Sequence, residues 1–170
     1  MFGFQACEGP EGPPGQDGQD GLISEVFELR NVSFLHDSNS PFTTGYTIYR
    51  NLNPVLFNGD VILIYRLSDM IDSNTPVWQQ IPRTLFLNEG ELDYDFDFSK
   101  EDFTIYAGGT YDLRTTSNFI NNQTFRIVIV PGPSEVGVTS RNSQKKVDYS
   151  DYNAVIKAYN IDDSNVKVLK

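Results

Sequence analysis

Two short runs of apolar and β-branched residues constrain the fold of this chain more than any other feature. Val61–Tyr65 is apolar on both faces of an extended strand, and Phe125–Val130 has a similar composition. Such runs are typical of strands in the middle of a sheet, where both faces are buried. An Asn-Gly pair at 58–59 precedes the first run, and a Pro-Gly-Pro sequence at 131–133 ends the second. We therefore expect a β-sheet protein with these two strands at its centre.

Other segments extend the β pattern along the chain. They are residues 22–34, 45–50, a short strand around Trp78 between Pro76 and Pro82, and the segments 84–87, 92–98 and 103–106. A hairpin loop is expected at 88–91, and the glycine pair 108–109 is expected to end the last of these strands. About seven or eight short strands with regular turn signals indicate an all-β, immunoglobulin-like β-sandwich. Alternation in 22–34 predicts two faces, one with Val26, Val32 and Phe34 and the other with Ile23, Phe27 and Leu29.

One C-terminal segment has helical rather than strand periodicity. Apolar residues recur at three- and four-residue spacing at Tyr149, Tyr152, Val155, Ile156 and Tyr159. Ser150 or Asp148 is expected to cap the start of this helix, Asp151 suits its positive end, and Lys157 suits its negative end. We expect a short helix near 150–159 that packs on the sandwich or closes one end of it. Val166 and Val168 are candidates for a last strand.

The N-terminal segment carries glycine at every third position from Gly9 to Gly21, directly after Cys7, the single cysteine. A triple helix needs that period. Three chains in register would also bring together the carboxylates of Glu11, Asp17 and Asp20, with no basic residue nearby. We therefore expect a monomer in which these triplets form an extended, solvated spacer.

The residues before Cys7 match part of the bacterial lipobox, in which a small residue precedes a cysteine that receives diacylglycerol. Ala6 is that small residue, and Phe4 stands where leucine is usual. A signal peptide needs a basic region and an apolar region of about 7–15 residues, so we expect Met1 to fall inside a longer signal peptide. The predicted organisation is a residual signal segment over 1–6, a lipid-anchored collagen-like spacer over 7–21 and the β-sandwich over 22–170.

Several stretches together resemble the small collagen-like lipoproteins of flavobacteria and related Bacteroidota. They are CEGPEGPPG, SEVFELRNVSF, DVILIYRL, VWQQIPRTLFLNEGELDYDF, TFRIVIVP and DYNAVIKAYNIDDS. The resemblance extends over nearly the whole chain, and it implies location and architecture but no activity. In that group, acidic residues just after the lipidated cysteine accompany export to the cell surface, and Glu8 and Glu11 are similar in position. The implied location is the cell envelope, as an outer-membrane lipoprotein.

Composition argues against several classes of function. The chain has 13 Lys and Arg against 23 Asp and Glu, a net charge of -10. Such a surface is repelled by phosphates, so no nucleic-acid partner is expected. His36 is the single histidine, which leaves no Ser-His-Asp triad and no multi-histidine zinc site. We expect His36 to be solvated in a polar loop, and we expect no catalytic residue, metal or cofactor.

Two motifs match parts of known functional sites. Ser143 and Lys146 match the S-x-x-K spacing of penicillin-interacting enzymes, but the companion motifs are absent and the segment is polar. Asp93, Asp95 and Asp97 resemble the start of a calcium loop, but on a strand alternate carboxylates lie about 7 Å apart. We expect these aspartates to face water, with Leu92, Tyr94, Phe96 and Phe98 pointing inward.

Three functions remain open at this level. The first is a non-catalytic, lipid-anchored envelope protein that acts by contact with an envelope protein or another extracellular molecule. The second is a glycan-binding module, which requires two or more exposed aromatic side chains on a flat or concave platform. The third is a carboxylate-based glycoside hydrolase, which requires two acids about 5–10 Å apart in a cleft.

Overall fold

The computed structural model describes residues 25–132, 147–164 and 166–169. Within these residues the chain forms ten strands, one 3₁₀ helix and one α-helix. In chain order they are β1 (Glu25–Val32), β2 (Leu35–His36), β3 (Tyr46–Asn51), β4 (Val61–Asp72), β5 (Thr75–Ile81), β6 (Arg83–Leu87), β7 (Gly90–Phe98), β8 (Asp102–Gly109), the 3₁₀ helix (Leu113–Phe119), β9 (Gln123–Val130), α1 (Tyr152–Ala158) and β10 (Lys167–Val168).

The strands form two five-stranded sheets. The first sheet has the order β10-β1-β9-β4-β5, and the second has the order β2-β3-β8-β7-β6. All neighbours are antiparallel except β10, which lies parallel to β1. The prediction of an all-β sandwich is confirmed at this level. The strand count exceeds the predicted one because the two-residue strands β2 and β10 each add an edge.

The two apolar runs occupy the positions predicted for them. β9 is the central strand of the first sheet, and β4 lies beside it. Ile64 pairs with Ile127, and both side chains are fully buried. β4 continues past the end of β9 and forms a hairpin with β5, so its outer half pairs on one side alone.

The main core lies between the two sheets. Both inner faces contribute large apolar side chains, and the buried members are Phe27, Leu29, Ile62, Ile64, Ile81, Phe125, Ile127 and Ile129 from the first sheet and Tyr46, Ile48, Leu92, Tyr94, Phe103, Ile105 and Ala107 from the second. The 3₁₀ helix, which the sequence patterns do not indicate, closes one end of this core with the buried side chain of Leu113.

The C-terminal helix covers the outer face of the first sheet. α1 buries Tyr152 and Val155 against Tyr65 and Val128 in a second apolar cluster. The predicted helix and its packing on the sandwich are therefore confirmed. The predicted cap is wrong, because the side chain of Asp151 accepts hydrogen bonds from the backbone N–H groups of the first turn.

A β-bulge overturns the predicted faces of the first strand. The register of β1 against β9 shifts between Leu29 and Val32, and Asn31 within the bulge has a φ of 52°. The extra residue turns Val32 and Phe34 into the core between the sheets, whereas Val26 lies in the outer cluster under α1. Strict alternation fails here because a bulge puts two residues opposite one.

β8 ends at the glycine pair 108–109, as predicted, and both glycines belong to the strand as its last two residues. A Cβ on Gly109 would lie 2.4 Å from the carbonyl oxygen of Glu91 on the neighbouring strand. The glycine therefore permits a close backbone approach, a role that glycine also has inside strands. The β6–β7 hairpin is confirmed, with its turn at 88–89 and Gly90 at a φ of 142°.

Candidate functional site

The outer face of the second sheet is open to solvent in the described part of the chain. In β7, Leu92 and Tyr94 point into the core, and the intervening aspartates point outward and are exposed, as predicted. Phe98 does not point into the core as predicted. It is 40 % exposed because it lies at the hairpin end of the strand. We call the outward side of β3, β7 and β8 the tyrosine–carboxylate face, made of Tyr49, Glu91, Asp93, Asp95, Asp97, Asp102, Thr104 and Tyr106.

Tyr49 on β3 is held against this face by its hydroxyl group. The hydroxyl lies 2.8 Å from Asn51 Oδ1 and 3.1 Å from Asp102 Oδ2, and it donates to these acceptors. Both acceptors are outward side chains on the same sheet, so the ring must lie along the sheet surface. The side chain is nevertheless 51 % exposed, so the ring contributes a large solvent-facing area.

Tyr106 on β8 is fixed in the same way. Its hydroxyl donates to Asp97 Oδ2 on the neighbouring strand at 2.9 Å, and the residue is 38 % exposed. Thr104 pairs directly with Tyr49, so Tyr49 and Tyr106 are diagonal neighbours on one face. Diagonal neighbours in a sheet lie roughly 7–8 Å apart. The two exposed rings therefore lie on the same face of neighbouring strands.

The hydrogen bonds also set the protonation of the tyrosines. The bond to Asp102 raises the pKa of Tyr49, and the bond to Asp97 raises the pKa of Tyr106. A phenol that donates to a carboxylate is harder to ionise, because the phenolate would face a like charge. Both hydroxyl groups therefore stay protonated to a higher pH and can act as hydrogen-bond donors.

Charge on this face has one sign. None of its residues is a lysine or arginine, and the basic side chains of the second sheet lie elsewhere. Arg50 is inward-facing on β3 and half-buried, and Arg83 is at the start of the edge strand β6. Within the described residues, no group of three or more His, Cys, Asp or Glu side chains is placed to hold a metal ion.

His36 is not the solvated loop residue that the sequence pattern predicts. It lies on β2 and is half-buried, with its ring 4.8 Å from that of Phe42 and 4.5 Å from that of Tyr46. Arg114, which is paired with Asp112, stacks on the other side of this group, 3.4 Å from the ring centre of Phe42. The packing of these side chains closes the end of the sandwich next to the 3₁₀ helix.

A buried charge network under α1 was missed by sequence reasoning. Arg126 on β9 donates to Glu28 Oε2 at 2.9 Å, to the Tyr152 hydroxyl at 2.6 Å and to Asp163 Oδ2 at 3.1 Å. The Tyr152 hydroxyl donates in turn to Asp163 at 2.7 Å. Burial first, and then this bond to Asp163, raise the pKa of Tyr152. Trp78 packs over the guanidinium, 4.5 Å from its carbon to the ring centre. These bonds link α1 and the segment after it to the first sheet, whereas Trp78 Nε1 is buried with no hydrogen-bond partner among the described residues.

Comparison with protein-family models, with curated proteins and with solved structures gives no match to this chain. Among the described residues, no helix has the length and apolar character needed to cross a bilayer. Cys7, the collagen-like spacer and the Ser143–Lys146 motif lie outside the described residues.

The sequence pattern located the aspartates of this face but not its tyrosines. The sequence did carry a signal, because two strands share nearly the same four residues, YTIY at 46–49 and FTIY at 103–106. In each strand an isoleucine is buried and the following tyrosine faces outward. The pairing of β3 with β8 then brings the two tyrosines together, which no single strand could reveal.

Proposed function

We propose that this chain is a non-catalytic, lipid-anchored protein of the bacterial cell envelope, with a β-sandwich that serves as an interaction domain. The observation that carries the proposal is the tyrosine–carboxylate face. Its two tyrosine rings are exposed and held by hydrogen bonds, so a ligand that covers them would lose little side-chain entropy on binding.

The position of the first strand supports this arrangement. β1 begins at Glu25, which pairs with Ile129, so the described chain enters the first sheet at the end where β9 finishes. The tyrosine–carboxylate face belongs to the other sheet and points away from the core. A protein tethered through its N-terminal segment would therefore leave this face accessible. An immunoglobulin-like scaffold, which commonly presents binding surfaces on its sheets and loops, fits the two-sheet antiparallel body.

The anchor is tested by changing Cys7 to Ala in the full chain expressed behind a complete signal peptide. We expect wild-type protein in the detergent phase of a phase separation, because diacylglycerol supplies two acyl chains, and stable anchoring needs more than one such signal. The C7A variant should move to the aqueous phase, and a Glu8→Gln control should behave as wild type. Wild-type protein found entirely in the aqueous phase would refute the anchor.

A glycan-binding module is the second candidate, and the pair of fixed tyrosines favours it. Sugar rings stack their apolar C–H faces on aromatic rings, and carboxylates accept hydrogen bonds from sugar hydroxyls. Tyr49 and Tyr106 supply two exposed aromatic side chains on one face of the second sheet, which supports this candidate. A panel of neutral glycans tested against wild type and a Y49A/Y106A variant distinguishes this candidate from contact with a protein.

A further inference from the structure

We infer that the tyrosine–carboxylate face binds an extended segment of a partner protein with basic residues at alternate positions. The inference rests on the proposed function and names the chemistry of the partner at that same face. Charge complementarity and the two-residue period of a strand both point to this basic, extended partner.

The carboxylates give the tyrosine–carboxylate face its negative charge. Five outward carboxylates share the face, and among the described residues none of them forms an ion pair with a lysine or arginine: Glu91, Asp93, Asp95, Asp97 and Asp102. An ionised carboxylate has about four acceptor sites. Asp97 accepts one side-chain donor, the Tyr106 hydroxyl, and Asp93 accepts one, the Thr84 hydroxyl. Strong acceptor capacity therefore remains, and like charges repel one another until a cation is bound.

The spacing of these carboxylates matches one kind of ligand. Asp93, Asp95 and Asp97 follow each other at alternate positions of β7, roughly 7 Å apart. An extended peptide repeats its side chains with the same period on the side that faces the sheet. A segment with arginine or lysine at every second position would therefore place one cation opposite each aspartate, with charge-assisted hydrogen bonds.

The tyrosines add a contact that charge alone does not supply. A guanidinium or ammonium group over the exposed face of Tyr49 or Tyr106 gains a cation–π interaction. The neighbouring carboxylates hold the ring hydroxyls, so the rings are already in place before the ligand arrives. A neutral glycan could stack on the same rings, but it would leave the repulsion among the five carboxylates unrelieved. An anionic glycan or an anionic lipid surface would increase that repulsion.

The experiment titrates the full chain with a short peptide that alternates arginine and serine, followed by calorimetry. A peptide that alternates glutamate and serine, and one with the same arginines clustered at one end, serve as ligand controls. We expect the alternating basic peptide to bind best and its affinity to fall steeply with salt, because about 1 M salt shortens the Debye length to about 3 Å.

Three variants test whether binding depends on this face or on the overall negative charge of the protein. Y49A/Y106A leaves every charge in place and should weaken binding about tenfold. Asp95→Asn with Asp97→Asn should weaken it by at least about tenfold, whereas Asp69→Asn with Asp72→Asn removes the same charge from the β4–β5 hairpin and should change little. All three variants alter exposed side chains, and the unfolding midpoint of each checks that the fold is kept.

Each alternative outcome would refute a different part of the proposal. Equal loss in both aspartate pairs, with no effect of Y49A/Y106A, would mean unspecific attraction and would refute the inference. Binding of a neutral glycan that depends on Tyr49 and Tyr106, without peptide binding, would refute the inference but leave the interaction domain standing. If neither Y49A/Y106A nor Asp95→Asn with Asp97→Asn changed the binding of the peptide or of the glycans, the face would be refuted as a contact surface, and with it the interaction role proposed for the domain; the anchor is tested separately by C7A.

Discussion

At the scale of single residues, Arg126 is a charged side chain that the fold keeps mostly buried. The side chain is 15 % exposed, and its guanidinium contacts Glu28, which is nearly buried, together with Tyr152 and Asp163. Such a group is tolerable inside a protein because its hydrogen-bonding capacity is met by neighbours. Arg30 also pairs with Glu28, but from a largely exposed position. Removal of Arg126 would therefore leave Glu28 with a solvent-screened partner.

We predict that Arg126→Met lowers the free energy of unfolding by about 3 kcal/mol, because it leaves a buried carboxylate without its main partner. Methionine keeps most of the apolar stem of arginine, so the loss reports the charge more than the packing. Urea denaturation monitored by circular dichroism measures the effect.

Arg114→Met provides the matched control. Its pair with Asp112 is largely exposed, and solvent screening leaves such pairs with little effect on stability. A second variant, Glu28→Gln with Arg126→Met, should recover part of the lost stability because the stranded charge is gone. Equal destabilisation by the two arginine variants would show that the network contributes no more than a surface pair.

At the scale of secondary-structure elements, α1 depends on tertiary contacts and on its cap. The helix has seven residues, and isolated helices of that length are not stable in water. Tyr152 and Val155 attach it to the first sheet, and the Tyr65 hydroxyl donates to the carbonyl of Tyr149 at 2.7 Å just before it. Asp151 accepts hydrogen bonds from the N–H groups of Asn153 at 2.9 Å and Ala154 at 3.2 Å.

We predict that Asp151→Ala lowers the free energy of unfolding by about 1 kcal/mol, the usual effect of losing an N-cap. Ser150→Ala is the control, since the Ser150 hydroxyl donates to Asp148 and makes no cap bond to the helix. Thermal unfolding of the two variants, measured side by side, decides between them. A larger loss in Ser150→Ala would restore the cap assignment made from the sequence.

At the scale of the whole molecule, the described residues form three layers, which are the second sheet, the first sheet and α1. The main core lies between two sheets, and α1 covers the outer face of the first. The outer face of the second sheet has no such cover among the described residues, which makes it the asymmetric side of the domain. This asymmetry is what separates the scaffold from its proposed contact surface.

We predict that deletion of residues 1–21 leaves the unfolding midpoint nearly unchanged, because the glycine triplets lack the apolar side chains needed to add to a core. The full chain and the 22–170 truncation should both sediment as monomers at low salt. About 1 M salt screens the carboxylates of the triplets, so it is the condition most favourable to a triple helix. A trimer that requires residues 9–21, or a loss of several kcal/mol on truncation, would contradict this prediction.

The sequence by itself determined the class of the fold and much of its layout. Val61–Tyr65 and Phe125–Val130 identified the central strands because burial on both faces leaves few polar positions. The helix near 150–159 followed from its period, and the exposure of the β7 aspartates followed from alternation. These features depend on neighbours in the chain, so local patterns can report them.

Tertiary structure alone decided the rest. The bulge at Asn31 redirected Val32 and Phe34, because one extra residue in a strand reverses the side to which later side chains point. The proximity of Tyr49 and Tyr106 arises from the pairing of strands more than fifty residues apart, and the contact of Glu28 with Arg126 spans 98 positions. Such contacts depend on which strands lie side by side, a choice made by the packing of the whole core and not written in any single segment.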